Sequence, residues 1–128
     1  MKVIKHGIDL VECKRLQEAI DRHGQRFLDR VFTPAEQAYS RRHRRQAERF
    51  SGRFAVKEAV LKMLGTGWQN GIAWTDIEVV NDPAGQPRAN LTGRVKALAH
   101  QQGIEQIAVS ITHTSGLAMA SAIALGHK

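Results

Sequence analysis

Glu58 and Lys62 stand four residues apart in the run Arg53-Phe54-Ala55-Val56-Lys57-Glu58-Ala59-Val60-Leu61-Lys62-Met63-Leu64-Gly65-Thr66-Gly67. Between Phe54 and Leu64 only Lys57, Glu58 and Lys62 are not apolar. At 3.6 residues per turn, a carboxylate and an ammonium four apart share one helix face. Gly65 continues that face into Gly-Thr-Gly, where the backbone can come close to a ligand. A carboxylate, a cation and such a loop suit a metal ion and a phosphate. The plainer alternative is a surface pair worth roughly 0.2–0.5 kcal/mol, with the glycines merely ending the helix. Against it stands the apolar surround. A helix that is hydrophobic all round is buried, and a buried ionised group costs several kcal/mol unless it is paired.

Two other segments put polar groups at the edge of apolar elements. Asp9 interrupts Ile8, Leu10 and Val11 in His6-Gly7-Ile8-Asp9-Leu10-Val11-Glu12. It either caps a following helix or needs a partner. His113 falls in Ser110-Ile111-Thr112-His113-Thr114, beside a turn. It is either a surface histidine or a group aimed at a ligand.

The elements that must position these residues follow from pattern. Val3 to Leu10 predicts a strand. Cys13, Leu16, Ala19 and Ile20 have helical spacing within Val11 to His23, and Gly24 is a natural stop. Arg26 to Phe32 predicts a short turn or helix. Thr33-Pro34-Ala35-Glu36 opens another helix with a capping box and proline at its first position. The apolar helix is expected from Gln46 to Leu64. Strands follow at Thr75 to Asn81 and Arg88 to Leu91, joined by the turn-rich Asp82 to Pro87. Thr92 can cap a helix running through Gln102. Gln106 to Thr112 and Leu117 to Leu125 alternate as a long hairpin joined by His113-Thr114-Ser115-Gly116. Its small face, Ala118, Ala120, Ala122 and Ala124, suits close packing by a helix. The fold class expected is α+β, an antiparallel sheet packed against helices.

With 128 residues the chain suits a single domain, 1–128. One cysteine, Cys13, excludes an internal disulfide. No signal peptide or membrane-length apolar run is visible, so a soluble cytoplasmic protein is the default expectation. A net charge of +7, concentrated in Arg41-Arg42-His43-Arg44-Arg45 with Arg49 and Arg53 following, favours a polyanionic partner. A basic nucleic-acid-binding module is the competing function. It leaves Asp9 and Glu58 unexplained, and aromatic residues are only 5% and not interleaved with the basic ones, which weakens a base-stacking surface.

The Gly7-Ile8-Asp9 strand, the Lys57-Glu58-Ala59 to Lys62 helix with Gly65-Thr66-Gly67, and Ser110 to Thr114, in that order and in a chain of this length, resemble the holo-(acyl-carrier-protein) synthase family of small 4′-phosphopantetheinyl transferases. The resemblance spans essentially the whole chain. Val56 stands where alanine is common and Cys13 where an aliphatic residue is common. The resemblance implies a phosphopantetheinyl transferase-like fold and a role in fatty acid biosynthesis. It implies Mg²⁺-dependent transfer of 4′-phosphopantetheine from coenzyme A to a serine of apo-acyl carrier protein, releasing adenosine 3′,5′-bisphosphate. Asp9 and Glu58 would be metal ligands, and Asp9, Glu58 and Lys62 the catalytic set. Arg53, Lys62, Gly65, Thr66 and His113 would contact coenzyme A. Whether the serine proton goes to Glu58, Lys62 or a water stays open. An acidic carrier would dock on Arg15 first and Arg41 to Arg45 second. A homotrimer is implied, with coenzyme A sites shared between subunits and the terminal hairpin as the expected subunit contact. Nucleic acid and membrane are not expected partners.

Overall fold

The apolar run becomes the central element of the molecule. The computed structural model describes residues 1–69 and 71–127. In chain order they form β1 (Lys2–Glu12), α1 (Cys13–Val31), α2 (Pro34–Arg41), α3 (Gln46–Leu64), a 3₁₀ turn (Trp74–Asp76), β2 (Ile77–Asn81), β3 (Pro87–Leu91), α4 (Gly93–Gln101), β4 (Ile104–Thr114) and β5 (Leu117–Gly126). Two antiparallel sheets result: a three-stranded one in the order β1-β5-β4, and the β2-β3 hairpin. The α+β expectation holds.

α3 lies across the three-stranded sheet. Ala118, Ala120, Ala122 and Ala124 of β5 are all buried beneath it, which lets helix and sheet approach closely. Gly7 makes the approach closer still on β1. A Cβ there would collide with the Ala59 carbonyl and stand 2.6 Å from the Met63 nitrogen. Register pairs Gly7 with Ala122 and Asp9 with Ala120. Side chains two apart on a strand share a face, so Gly7's intimacy with α3 carries Asp9 to the same helix. Around α3 the core is completed by Leu16 and Leu28 of α1, Phe32, Ile77 and Val79 of β2, and Val95 and Leu98 of α4.

Several sequence expectations need correction. β1 runs on to Glu12, because pairing with β5 continues to Glu12–Leu117; Asp9 therefore sits inside a strand and caps no helix. Gly24 stops the first helical path as its sequence suggests: at φ 62° and ψ −145° it is non-helical, and a second helical stretch runs on to Val31, both carried under the label α1. The loop joining β4 and β5 is only Ser115-Gly116, both at positive φ (47° and 79°), as a tight two-residue hairpin requires. His113 and Thr114 belong to β4. Thr92 makes no side-chain cap; its backbone N–H donates to the Asp76 carbonyl at 2.8 Å. The Thr33–Glu36 capping box is formed as expected.

Candidate active site

β1 and α3 bring Asp9, Glu58 and Lys62 together. The Lys62 ammonium donates to Asp9 Oδ1 at 2.7 Å. Asp9 is largely shielded (14% exposed) while Lys62 is open (56%). This hydrogen bond, reinforced by the Asp9 charge, raises the Lys62 pKa above its ordinary value. Lys62 is thus held as a cation. Glu58 is half-buried. Burial, and then the negative charge of Asp9, push its pKa upward, partly offset by Lys62. The three residues line a groove of about 620 Å³ together with Glu12, Arg15 and the apolar Leu10, Val11, Leu16, Ala19, Phe27 and Phe54. Arg15 stands at its rim, paired loosely with Glu12 at 3.8 Å. Charged groups and apolar side chains lining one groove suit a ligand with a charged phosphate group and a neutral arm.

The donor set bears on which metal would fit. Burial and then the Asp9 charge raise the cost of ionising Glu58, a demand that a divalent cation meets. Among the described residues no group of three or more His, Cys, Asp and Glu side chains converges. Two protein oxygens with the remaining positions left to substrate and water is the habit of Mg²⁺. Zinc takes three or four nitrogen, sulfur or carboxylate ligands.

Gly65 caps α3 in the left-handed conformation, φ 76°, its N–H donating to the carbonyls of Leu61 and Lys62. Thr66 Oγ1 donates to the Gly67 carbonyl at 3.2 Å. The loop therefore starts three residues beyond Lys62, at a helix C-terminus. That end carries partial negative charge, so the helix dipole offers a phosphate nothing here. Lys62 and the loop's own amides are what remain.

Arg53 and His113 do not join this group in the chain. Arg53 is only 3% exposed. Its guanidinium lies 3.7 Å from the centre of the Tyr39 ring and donates to Asn81 Oδ1. Burial pulls its pKa below the usual guanidinium range, with Tyr39 and Glu36 opposing. It borders a separate cleft with Tyr39, Arg42 and Asn81. The His113 imidazole rests against Gly52, with Nε2 3.0 Å from the Glu48 carbonyl. Gly52 and Glu58 are six residues apart on α3, about 9 Å along its axis and some 120° around it.

Sequence reasoning passed over two features. Arg22, Arg26 and Arg30 line a second groove of about 660 Å³ with His23. It shares Ala19 and Phe27 with the first groove. Arg22 lies before the break at Gly24 and Arg26 and Arg30 after it, so it is the angle between the two helical segments, not helical spacing, that brings them to one groove. Lys57, the neighbour of Glu58, is fully buried against Glu36 at 2.9 Å.

The chain matches the model of the 4′-phosphopantetheinyl transferase superfamily over residues 5–118. It is 44% identical over 121 residues to the holo-[acyl-carrier-protein] synthase of Solibacter usitatus (strain Ellin6076), covering 94% of this chain and 97% of that protein. With the synthase of Desulforudis audaxviator (strain MP104C) it shares 45% identity over 120 residues, 94% of this chain and 91% of that one. Among solved structures, the holo-[acyl-carrier-protein] synthase of Neisseria meningitidis superposes with a TM-score of 0.86 at 26% identity, covering 96% of this chain and 98% of that chain. The Helicobacter pylori enzyme in complex with coenzyme A gives 0.82 at 28% identity, over 94% and 99% respectively. A family match across most of the length, full-length relatives above 40% identity and a shared fold lead to one conclusion: the chain belongs to the 4′-phosphopantetheinyl transferase superfamily, as an enzyme of its holo-[acyl-carrier-protein] synthase branch.

Proposed function

We propose that this protein is a single-domain enzyme that moves 4′-phosphopantetheine from coenzyme A to a serine of apo-acyl carrier protein. The observation that carries the reading is the meeting of Asp9, Glu58 and Lys62 in one groove with Leu16, Phe27 and Phe54. The serine oxygen attacks the phosphorus bearing the pantetheine arm. The bond to the bridging oxygen breaks, adenosine 3′,5′-bisphosphate departs, and the serine proton is released. Such a transfer needs positioning and charge neutralisation more than covalent help from the protein. Asp9 and Glu58 would hold Mg²⁺, which neutralises the pyrophosphate when bound. Lys62 then exchanges Asp9 for a phosphate oxygen and stabilises charge there as a cation. Phe27, Phe54 and Leu16 shelter the pantetheine arm, and Gly65 and Thr66 bring loop backbone to the ligand.

Arg53 and His113 are assigned to the nucleotide end of coenzyme A. Their distance from Glu58 within a protomer favours a site completed by a second copy. The outward face of the β1-β5-β4 sheet supplies a surface for it: Ile8, Leu10, Met119 and Ile123 lie exposed there. An apolar face of this kind marks an interface, and a cyclic homotrimer would give three equivalent sites. The acidic carrier is expected to dock on Arg15, with Arg22, Arg26 and Arg30 extending the basic strip along α1 and Arg41 to Arg45 the second candidate. The enzyme would work in the cytoplasm, supplying holo-carrier for fatty acid synthesis.

The test is direct. The protein is incubated with coenzyme A, Mg²⁺ and an apo-acyl carrier protein, and the carrier is weighed by mass spectrometry. One phosphopantetheine adduct on the carrier serine is the expected result. No adduct with any divalent cation overturns the reading.

A further inference from the structure

We infer that Gly52 is a positioning residue: by lacking a Cβ it forms a notch in α3 that seats the His113 imidazole where that ring meets coenzyme A. This rests on the assignment of His113 to the nucleotide end of the substrate.

Gly52 sits inside a long helix, where glycine is the least favourable residue after proline. Its backbone does not ask for glycine. Gly24, Gly65, Gly67 and Gly116 have positive φ, whereas Gly52 does not. What requires glycine is space. A Cβ at Gly52 would stand 2.8 Å from His113 Nε2, 3.0 Å from Ile111 Cγ2 and 3.3 Å from His113 Cε1. The closest of these atoms is the tip of a rotatable side chain. The fold can therefore accommodate a methyl group only by swinging the imidazole away, with Ile111 Cγ2 giving by a few tenths of an ångström.

The ring is held by a second contact. His113 Nε2 lies 3.0 Å from the Glu48 carbonyl, one turn before Gly52. A carbonyl only accepts, so Nε2 carries a hydrogen; Nδ1 is the nitrogen left for a ligand, and it donates to a phosphate oxygen only when the ring is doubly protonated. Of the two arginines that precede this seat in sequence, Arg45 is committed to the Glu48 carboxylate at 3.6 Å, whereas Arg49 has a buried Nε with no hydrogen-bond partner among the described residues. The uncommitted Arg49 favours an anion, and the anion at the nucleotide end of coenzyme A that the reaction leaves untouched is the 3′-phosphate.

The experiment compares two donors, coenzyme A and 3′-dephospho-coenzyme A, which lacks only that phosphate. Wild type, Gly52→Ala, His113→Ala and the double variant are assayed for kcat and KM with each donor. Gly52→Ala is expected to raise KM for coenzyme A about tenfold with kcat little changed, and to leave KM for the dephospho donor where it was. The double variant should match His113→Ala, since the displaced ring is already gone. A Gly52→Ala defect equal for both donors, or none, overturns the inference while His113→Ala still discriminates between them. If His113→Ala itself fails to discriminate, the assignment of His113 falls and the inference with it. Should Gly52→Ala not fold, adding His113→Ala must restore folding; a double variant that is equally unfolded overturns the notch.

Discussion

Lys57 and Glu58 are neighbours on α3, yet their charges meet opposite circumstances. Lys57 is fully buried and every one of its donors is used: Glu36 Oε1 at 2.9 Å, the Trp74 carbonyl at 3.2 Å and the Ile77 carbonyl. Burial lowers its pKa, and Glu36 opposes the shift. Glu36 is equally occupied, accepting from the Thr33 and Val79 backbone N–H groups at 2.8 and 2.7 Å. One residue on, and 100° around the helix, Glu58 is half-buried beside another carboxylate, and among the described residues no side-chain hydrogen bond or ion pair reaches it. The first pair is saturated and ties α3 to α2 and β2. The second has unspent acceptor capacity in a groove. Burial of charge is common to both; only the unsatisfied one has anything left with which to bind a substrate or a cation.

Removing either of the two groove carboxylates should give the largest effect. Asp9→Ala and Glu58→Ala are each expected to cut transfer by at least about a thousandfold, some 4 kcal/mol of transition-state stabilisation, without lowering the melting temperature. Near-normal turnover by either variant at saturating Mg²⁺ would dissolve the contrast. The mirror experiment is Lys57→Met. It leaves the Glu36 carboxylate buried and unpaired, and should destabilise the fold by about 3–5 kcal/mol in chemical denaturation. Activity per folded molecule should survive. A stable but inactive Lys57→Met protein would move Lys57 into the chemistry.

Lys62→Ala tests the third member. Lys62 is on the exposed side of the pair, so its loss should matter little to stability. Turnover should fall about ten- to a hundredfold, with KM for coenzyme A changing less. A raised KM with unchanged kcat would place Lys62 in ground-state binding instead.

How much of this the sequence carried can be seen on α3 itself. The i,i+4 spacing of Glu58 and Lys62, the apolar surround and the alanine row of β5 are local patterns, and each survives in the structure. Asp9 could be suspected because a carboxylate among Ile8, Leu10 and Val11 lacks a local explanation. The Glu36–Lys57 pair was not legible. Glu36 already had a sufficient local role in the capping box, and its second partner lies 21 residues on. The break at Gly24 was legible, since glycine readily takes the positive φ that stops a helix; what was not legible is the angle at which packing of Phe27, Leu28 and Val31 into the core sets the second stretch. The notch at Gly52 is likewise a tertiary fact, since nothing near Gly52 in sequence announces a ring from β4.

The smallest predicted effect is the sharpest discriminator between the two regions. In metal-free protein, Glu58 has a pKa above its ordinary value, chiefly through burial and then through Asp9. The folded state therefore holds that proton more tightly than the unfolded state does. Its contribution favours folding below the ordinary carboxylate range, near pH 4.3, and is lost as pH rises through the elevated folded value. Above that window the ionised Glu58 is a fixed penalty. Glu58→Gln removes it, and so should stabilise metal-free protein at pH 7 by under about 1 kcal/mol, because the carboxylate is half-exposed and screened. At pH 4 the advantage should vanish. Mg²⁺ should raise the melting temperature of wild type at pH 7 and do little for Glu58→Gln, since a cation relieves only a charge that is present. Glu36→Gln should behave in the opposite sense, destabilising the protein at pH 7 by disturbing three satisfied contacts. Thermal melts of the two variants at both pH values, with and without Mg²⁺, decide the matter. A Glu58→Gln protein that melts below wild type in metal-free buffer at pH 7 would show that this carboxylate, like Glu36, is already satisfied.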